Sequence, residues 1–226
     1  DFTVSSDLAR YGQAGPKHGS APDGGSTDFL DLYVGFARAM ESCVLCEHWS
    51  AHKSLYLGLV NQIVPVLKDS DDQWVTNPLV RLDWVDNSTG QIVYGDFLEG
   101  DAKRDGQAVV SDCEIDLSAL DTAVNDLSWK LANTFPGCTR KTLTSVRKKK
   151  LQWWDANRET NREWLALNMA VEAAAGFRAF NVGGGKREDG TRIPRQVDFI
   201  AMRQAISKGE RWSPDLVESW MPHHDE

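Results

Sequence analysis

Between Tyr11 and Asp28 the chain reads YGQAGPKHGSAPDGGSTD, its densest set of residues able to act on a polar substrate. Gly12, Gly15, Gly19, Gly24 and Gly25 surround Lys17, His18, Ser20 and Asp23. Glycines at this density let the backbone take positive φ and approach a ligand closely. Amides freed in this way can point at developing negative charge, as an oxyanion hole requires. His18 offers an imidazole, a side chain suited to proton transfer. Asp23 offers a carboxylate. Ser20 offers a hydroxyl able to orient water, but the motif holds no adjacent base to make it a nucleophile. The same composition also suits a plain surface turn, with Asp23 as a turn or cap residue and His18 in solvent. On the residues alone both readings stand.

Further along, Glu41 falls within a helical pattern. A helical Glu is ordinarily a solvated surface group. Burial that raises its pKa toward neutrality would let it move a proton. Cys43-x2-Cys46-x-His48-x3-His52 has a spacing that zinc would tolerate. However, Cys43 and Cys46 share the helical pattern of Glu41, where a free Cys acts as a small core hydrophobe, so no metal is assigned. Gly183-Gly184-Gly185-Lys186 lacks the full P-loop pattern and follows no strand. Arg147-Lys148-Lys149-Lys150 fits a solvated helix face, or a contact to phosphates.

The elements that must position these groups follow from periodicity. Phe2 and Val4 alternate with polar neighbours as a short strand does. Asp28 to Cys46 places Leu32, Phe36, Ala39, Met40 and Cys43 near helical spacing, with Asp31 early in the helix. Ile63 to Leu67 is strand-like, and Pro65 marks an edge or an end. Asp69-Ser70-Asp71-Asp72 and Asn87-Ser88-Thr89-Gly90 are turn signals beside short β-prone pieces, Leu79 to Val85 and Gln91 to Tyr94. From Leu117 a stripe of Leu120, Val124, Leu127 and Leu131 predicts a helix that Phe135-Pro136-Gly137 ends. A second long helix is predicted from about Thr139 to Gly176, and a last one over Val197 to Lys208. Three regions result: 1–67, with the active-site turn; 68–116, an insertion with short strands; and 117–226, helical.

Composition narrows the function classes. The chain has 226 residues, is 41% hydrophobic and 26% charged, and so has the makeup of a globular protein with a substantial core. A net charge of −8 argues against nucleic acid as a partner. No apolar run approaches the about 20 residues that span a bilayer, and without a basic-then-apolar pattern at its start secretion is not expected. Cys43, Cys46, Cys113 and Cys138 read as reduced thiols of a cytoplasmic protein.

The order of these features resembles the crotonase (enoyl-CoA hydratase/isomerase) superfamily. The YGQ turn, the Gly24-Gly25 pair, the helix with Glu41, Trp49-Ser50-Ala51-His52-Lys53 and Leu57-Gly58-Leu59-Val60 carry that resemblance. GPKHGSAP, Phe135-Pro136-Gly137-Cys138 and Asn157-Arg158-Glu159-Thr160-Asn161-Arg162 narrow it to the 6-oxocyclohex-1-ene-1-carbonyl-CoA hydrolase family. The GQ.GPK.GS…DGG pattern is also similar to dihydroxynaphthoyl-CoA synthases. The resemblance implies an α/β fold, the carboxyl-terminal part of a crotonase-like ββα spiral core followed by a helical C-terminal domain. Asp1-Phe2-Thr3-Val4 then corresponds to a strand already under way. The amino-terminal half of the core, with the first oxyanion amide and much of the CoA pocket, is expected to lie outside this chain, which by itself would be an incomplete catalyst.

The resemblance also implies roles. Gly12 matches the glycine whose amide gives the second oxyanion donor. Glu41 matches a helix position expected to handle the proton of added water and to face a cavity shared with the Gly12–Asp23 turn. Gly15 stands where hydratases carry a second glutamate, so one carboxylate of the pair is missing and its space is expected to admit water or substrate. Asp23 is the expected replacement carboxylate, with His18 and Ser20 on the site wall. The implied activity is ring opening of a cyclic 6-oxo-enoyl-CoA thioester, with no metal or redox cofactor. Implied too is a homotrimer or hexamer assembled through 117–226, where Trp129, Trp153, Trp154 and Trp164 lie on helical patterns. Simple enoyl-CoA hydration, a synthase-like C–C lyase or cyclase, and a non-catalytic fragment are the other readings the residues allow.

Overall fold

The computed structural model describes residues 1–22 and 24–222. The chain begins with β1 (Val4–Ser6) and β2 (Arg10–Tyr11), then the glycine-rich turn containing α1 (Gly15–His18). Three short helices follow, α2 (Ser26–Phe29), α3 (Asp31–Val34) and α4 (Phe36–Leu45). The pattern had predicted one helix from Asp28 to Cys46. Gly35 interrupts it at φ 80°, a conformation helices do not contain. Cys46 then closes α4 in the left-handed region, its amide bonded to the carbonyl of Glu41.

Next come β3 (Trp49–Ser50), α5 (Ala51–Tyr56) and β4 (Gln62–Val64). Ser50 caps α5 by accepting from the Lys53 amide at 3.0 Å, and its hydroxyl donates to the Gly95 carbonyl at 2.6 Å. β1 pairs in parallel with β4, with Val4 opposite Gln62 and Ser6 opposite Val64. β2 pairs antiparallel with β3. Pro65 ends β4, as its missing N–H requires. The chain resumes as β5 (Leu67–Lys68), the centre of a three-stranded sheet between β6 (Trp74–Val75) and β7 (Glu114–Ile115). The sequence boundary at 67/68 thus falls inside β5. Between β6 and β7 lies α6 (Gly100–Asp112), a helix in a region read as strands and turns. The β-prone pieces there make only the isolated bridges Val80–Phe97 and Val85–Ile92.

The helical region comprises α7 (Ser118–Ala132), α8 (Pro136–Val171), α9 (Ala173–Val182), α10 (Phe199–Ser207) and α11 (Pro214–Glu218). Pro136 opens α8, because the first helical position needs no N–H. α7 packs on β1 through the small residue Ala123, leaving Val124 and Leu131 of the expected stripe exposed. No residue of the 36-residue α8 is buried. Leu30, Ala39, Cys43 and Trp49 form a buried cluster beneath the glycine-rich turn, joined by Val34, Leu57 and Leu59. Val60, Val64, Val66 and Leu67 are buried as well, at the joint with the three-stranded sheet. Among the described residues no helix is long and apolar enough to cross a membrane.

Candidate active site

The glycine-rich turn docks directly on the helical region. Gly19 ends α1 at φ 76°, and a Cβ there would lie 2.4 Å from the carbonyl of Glu172. Gly176 on α9 faces the other way, and a Cβ on it would meet the His18 carbonyl oxygen at 2.3 Å. Two residues without side chains therefore let backbone meet backbone. The long helix breaks at Glu172, φ −106° and ψ −34°, which separates α8 from α9 at this contact.

A cavity of about 450 Å³ opens beside that junction. Pro16, Lys17, Gly19, Ser20, Ala21 and Pro22 form the turn wall, and Cys43 and Val44 of α4 add to it. The opposite walls are Trp164, Asn168 and Glu172 of α8 and its break, Gly176 of α9, Phe199 and Arg203 of α10, and Trp212 and Trp220 around α11. The lining is mostly apolar and aromatic with a few charged groups, the usual makeup of a small-molecule site. Burial and the neighbouring Cys46 push the Cys43 thiol up, so it meets the cavity as an uncharged, unreactive group.

A second cavity of about 320 Å³ lies on the other side of the turn, lined by Arg10, Tyr11, Gly12, Gln13, Ser26, Phe29 and Trp49 among others. The Gln13 amide donates to the Ser26 hydroxyl across it at 2.7 Å. Lys150 of α8 stands 4.6 Å above the Phe29 ring. Buried Asp28 is held from α8 by the Asn161 amide, which donates to both carboxylate oxygens at 3.1 and 3.2 Å. Deeper in the core, Asp7 accepts from the Asn77 amide at 2.9 Å, while Asp7 Oδ1 and His52 Nδ1 are buried and without hydrogen-bond partners among the described residues. Burial raises the Asp7 carboxyl and lowers His52.

The sequence-derived candidates fall in different places. Ser20 lines the larger cavity and Gly12 the smaller one. Gly15, at the head of α1, has ordinary negative φ, and the side where a Cβ would stand holds the Ser20 carbonyl oxygen at 2.9 Å and the Ala21–Pro22 backbone within 3.2 Å. The space expected there for water is filled by the turn itself. His18 turns away from the larger cavity: its Nδ1 lies 2.8 Å from the Ala14 carbonyl, and its ring meets Phe180 edge-on at 4.8 Å. Asp23 lies outside the described residues.

Glu41 lines neither of these two cavities. Nη1 of Arg38, one helical turn earlier, donates to both of its carboxylate oxygens at 2.8 and 2.7 Å. The pair sits at the surface with side-chain exposures of 45% and 35%. The 3.6-residue period instead turns Ser42 to the smaller cavity and Cys43 and Val44 to the larger. The Cys43, Cys46, His48 and His52 set does not converge either, since the two Cys and His52 are buried whereas His48 is exposed. Among the described residues no three His, Cys, Asp or Glu side chains gather as a metal site would need.

Sequence reasoning missed Glu172, Arg203, Trp212 and Trp220. It placed Trp164 on an assembly surface, whereas Trp164 lines the larger cavity while remaining 58% exposed. The one local signal was Gly176 after a long helical pattern, a glycine whose use lay in contact and not in termination.

Residues 1–78 match the enoyl-CoA hydratase/isomerase family. The chain is 50% identical over 222 residues to a 6-oxocyclohex-1-ene-1-carbonyl-CoA hydrolase of Thauera aromatica, covering 98% of this chain and 57% of that protein. It is 49% identical to the hydrolase of the same name from Geobacter metallireducens, over 98% of this chain and 56% of the relative. For the Syntrophus aciditrophicus protein of that name the identity is 43%, over 92% and 54%. The chain spans little more than half the length of these relatives. Among solved structures, an enoyl-CoA hydratase/isomerase from Pseudoalteromonas atlantica T6c is 16% identical over 80% of this chain and 53% of its own, with a TM-score of 0.48, too loose a likeness to support any detail of the site. Residues 1–78 thus belong to the enoyl-CoA hydratase/isomerase, or crotonase, family as part of its core, followed in the same chain by a helical region over which the likeness to these hydrolases continues.

Proposed function

We propose that this chain is the site-bearing part of a hydrolase that opens the ring of 6-oxocyclohex-1-ene-1-carbonyl-CoA. The observation that carries the reading is the cavity between the glycine-rich turn and the tryptophan-bearing helices, about 450 Å³ in volume. It has room for a six-membered ring and its oxygen substituents, and flat walls of Trp164, Trp212 and Trp220 to hold the ring. The names borne by relatives up to 50% identical support the same substrate.

The chemistry has two stages. Water adds across the C=C conjugated to the thioester, its oxygen bonding the β carbon while the π electrons move onto the thioester oxygen as an enolate. A proton to the α carbon completes the hydrated ring. A second water then attacks the ring ketone, and the bond between that carbon and the α carbon breaks, with the same thioester enolate as leaving group. Protonation gives 3-hydroxypimeloyl-CoA. Amide donors aimed at the thioester oxygen would serve both stages, because both place charge there. Water and the CoA thioester suffice for the balance, and no metal or redox cofactor is proposed.

The proposal extends to setting. Such an enzyme would serve anaerobic catabolism of aromatic compounds in the cytoplasm, consistent with four free cysteines. Trp129, Phe135, Val146 and Trp153 are at least half exposed on α7, α8 and the link between them, which supports assembly into a homotrimer or hexamer through this region. The test is product mass from the full-length protein given the cyclic enoyl thioester. A gain of two waters supports ring opening, one water reduces the protein to a hydratase, and none refutes the reading. Sedimentation of the same protein as a monomer would refute the assembly.

A further inference from the structure

From Gly12 to Pro22 the glycine-rich turn contains no Asp or Glu, and Asp23 lies outside the described residues. Glu41 is held outside the cavity by Arg38. Among the described residues that line the cavity, the acidic one is Glu172. Its backbone is the surface on which Gly19 rests, so it stands directly beside the turn. It also occupies the break between α8 and α9, a position fixed by backbone contact on one side and by the helix hydrogen bonds on the other, its amide donating to the Asn168 carbonyl at 2.8 Å and its carbonyl accepting from Gly176 at 3.0 Å. No ion pair or hydrogen bond engages its carboxylate among the described residues, whereas the cavity offers two cations, Lys17 and Arg203.

We infer that Glu172, contributed by the helical region and not by the crotonase core, is the carboxylate that moves the proton during water addition to the ring. The inference rests on the ring-hydrolysis reading. Glu172 accepts a proton from water as the water oxygen bonds the β carbon and the π electrons pass to the thioester oxygen. It then returns that proton to the α carbon as the enolate collapses, ending as the carboxylate it began. Nothing is consumed but one water. Lys17 and Arg203 offset the negative charge that both carboxylate and enolate bring to one apolar cavity.

The test uses the full-length enzyme. Cyclohexanecarbonyl-CoA, a saturated ring thioester, is titrated against intrinsic tryptophan fluorescence, since three tryptophans line the cavity. Glu172→Gln is expected to bind this probe within about threefold of wild type, yet to lose turnover of the cyclic enoyl thioester by about 100-fold or more, the range for a general acid–base group. Glu172→Ala with added formate is expected to regain part of the rate, which a structural role would not allow. Should the Gln variant fail to fold by circular dichroism, the formate rescue decides alone. Turnover of the Gln variant within threefold of wild type overturns the inference, as does equal loss of probe binding and turnover without rescue. A wild-type enzyme that binds the probe but turns over no cyclic enoyl thioester refutes the ring-hydrolysis reading itself, and the role of Glu172 falls with it.

Discussion

Gly176 meets His18 backbone to backbone: a Cβ on Gly176 would lie 2.3 Å from the His18 carbonyl oxygen. This contact joins the crotonase-like segment to the helical region, and the larger cavity opens beside it. The site is therefore a product of two parts of the chain about 160 residues apart.

Gly176→Ala should loosen this joint. The added methyl must push α9 off α1, an overpacking cost of about 1–3 kcal/mol. The expected result is a lower melting temperature together with weaker binding of cyclohexanecarbonyl-CoA by tryptophan fluorescence. A variant with unchanged melting and unchanged binding would show that the two segments do not meet here.

Glu41→Gln is expected to leave turnover of the full-length enzyme within about threefold of wild type. Its ion pair with Arg38 is solvent-accessible, so its loss should cost at most about 1 kcal/mol, and less as salt is added. A 100-fold fall in turnover with normal folding would return Glu41 to the mechanism.

Gly15→Glu separates two ideas about the turn. If Gly15 made room for a second water, a carboxylate there would stop the reaction at the hydrated ring. Because the Ser20 carbonyl already lies 2.9 Å from where a Cβ would stand, the variant should instead distort the turn. The expected outcome is lower stability and slower turnover with an unchanged product. Accumulation of the hydrated, unopened ring, read by mass, would contradict this.

His52 predicts a pH dependence of stability. Burial lowers its folded-state pKa, so its contribution is present above the unfolded value of 6.5 and is lost as pH falls from there through the folded pKa. Asp7 acts with the opposite sign: its raised pKa favours the fold at low pH and that contribution fades as pH rises from 3.8 through the folded value. Denaturant unfolding of His52→Gln and wild type between pH 5 and 7.5 should show the steeper acid loss in wild type alone. Parallel curves would contradict the assignment.

The sequence by itself determined the glycine-rich turn, the crotonase order of turn, helices and strand, and the long helical patterns after Leu117, because turn chemistry, short-range periodicity and motif spacing are local properties. It also led to the same substrate class that the relatives' names carry. It left open where Glu41 points, since 3.6 residues per turn set which of Glu41, Ser42, Cys43 and Val44 line these two cavities only once the helix start at Gly35 and the neighbouring elements are fixed. It misjudged the space beside Gly15 because the occupant is the turn's own backbone folding back through Ser20, Ala21 and Pro22. The tertiary structure alone decided that Glu172, Trp212 and Trp220 share a cavity with Lys17 and Ser20. Their sequence separations exceed 150 residues, and contacts at that range are set by which surfaces can approach, here through Gly19 and Gly176, and leave no periodic mark in the chain.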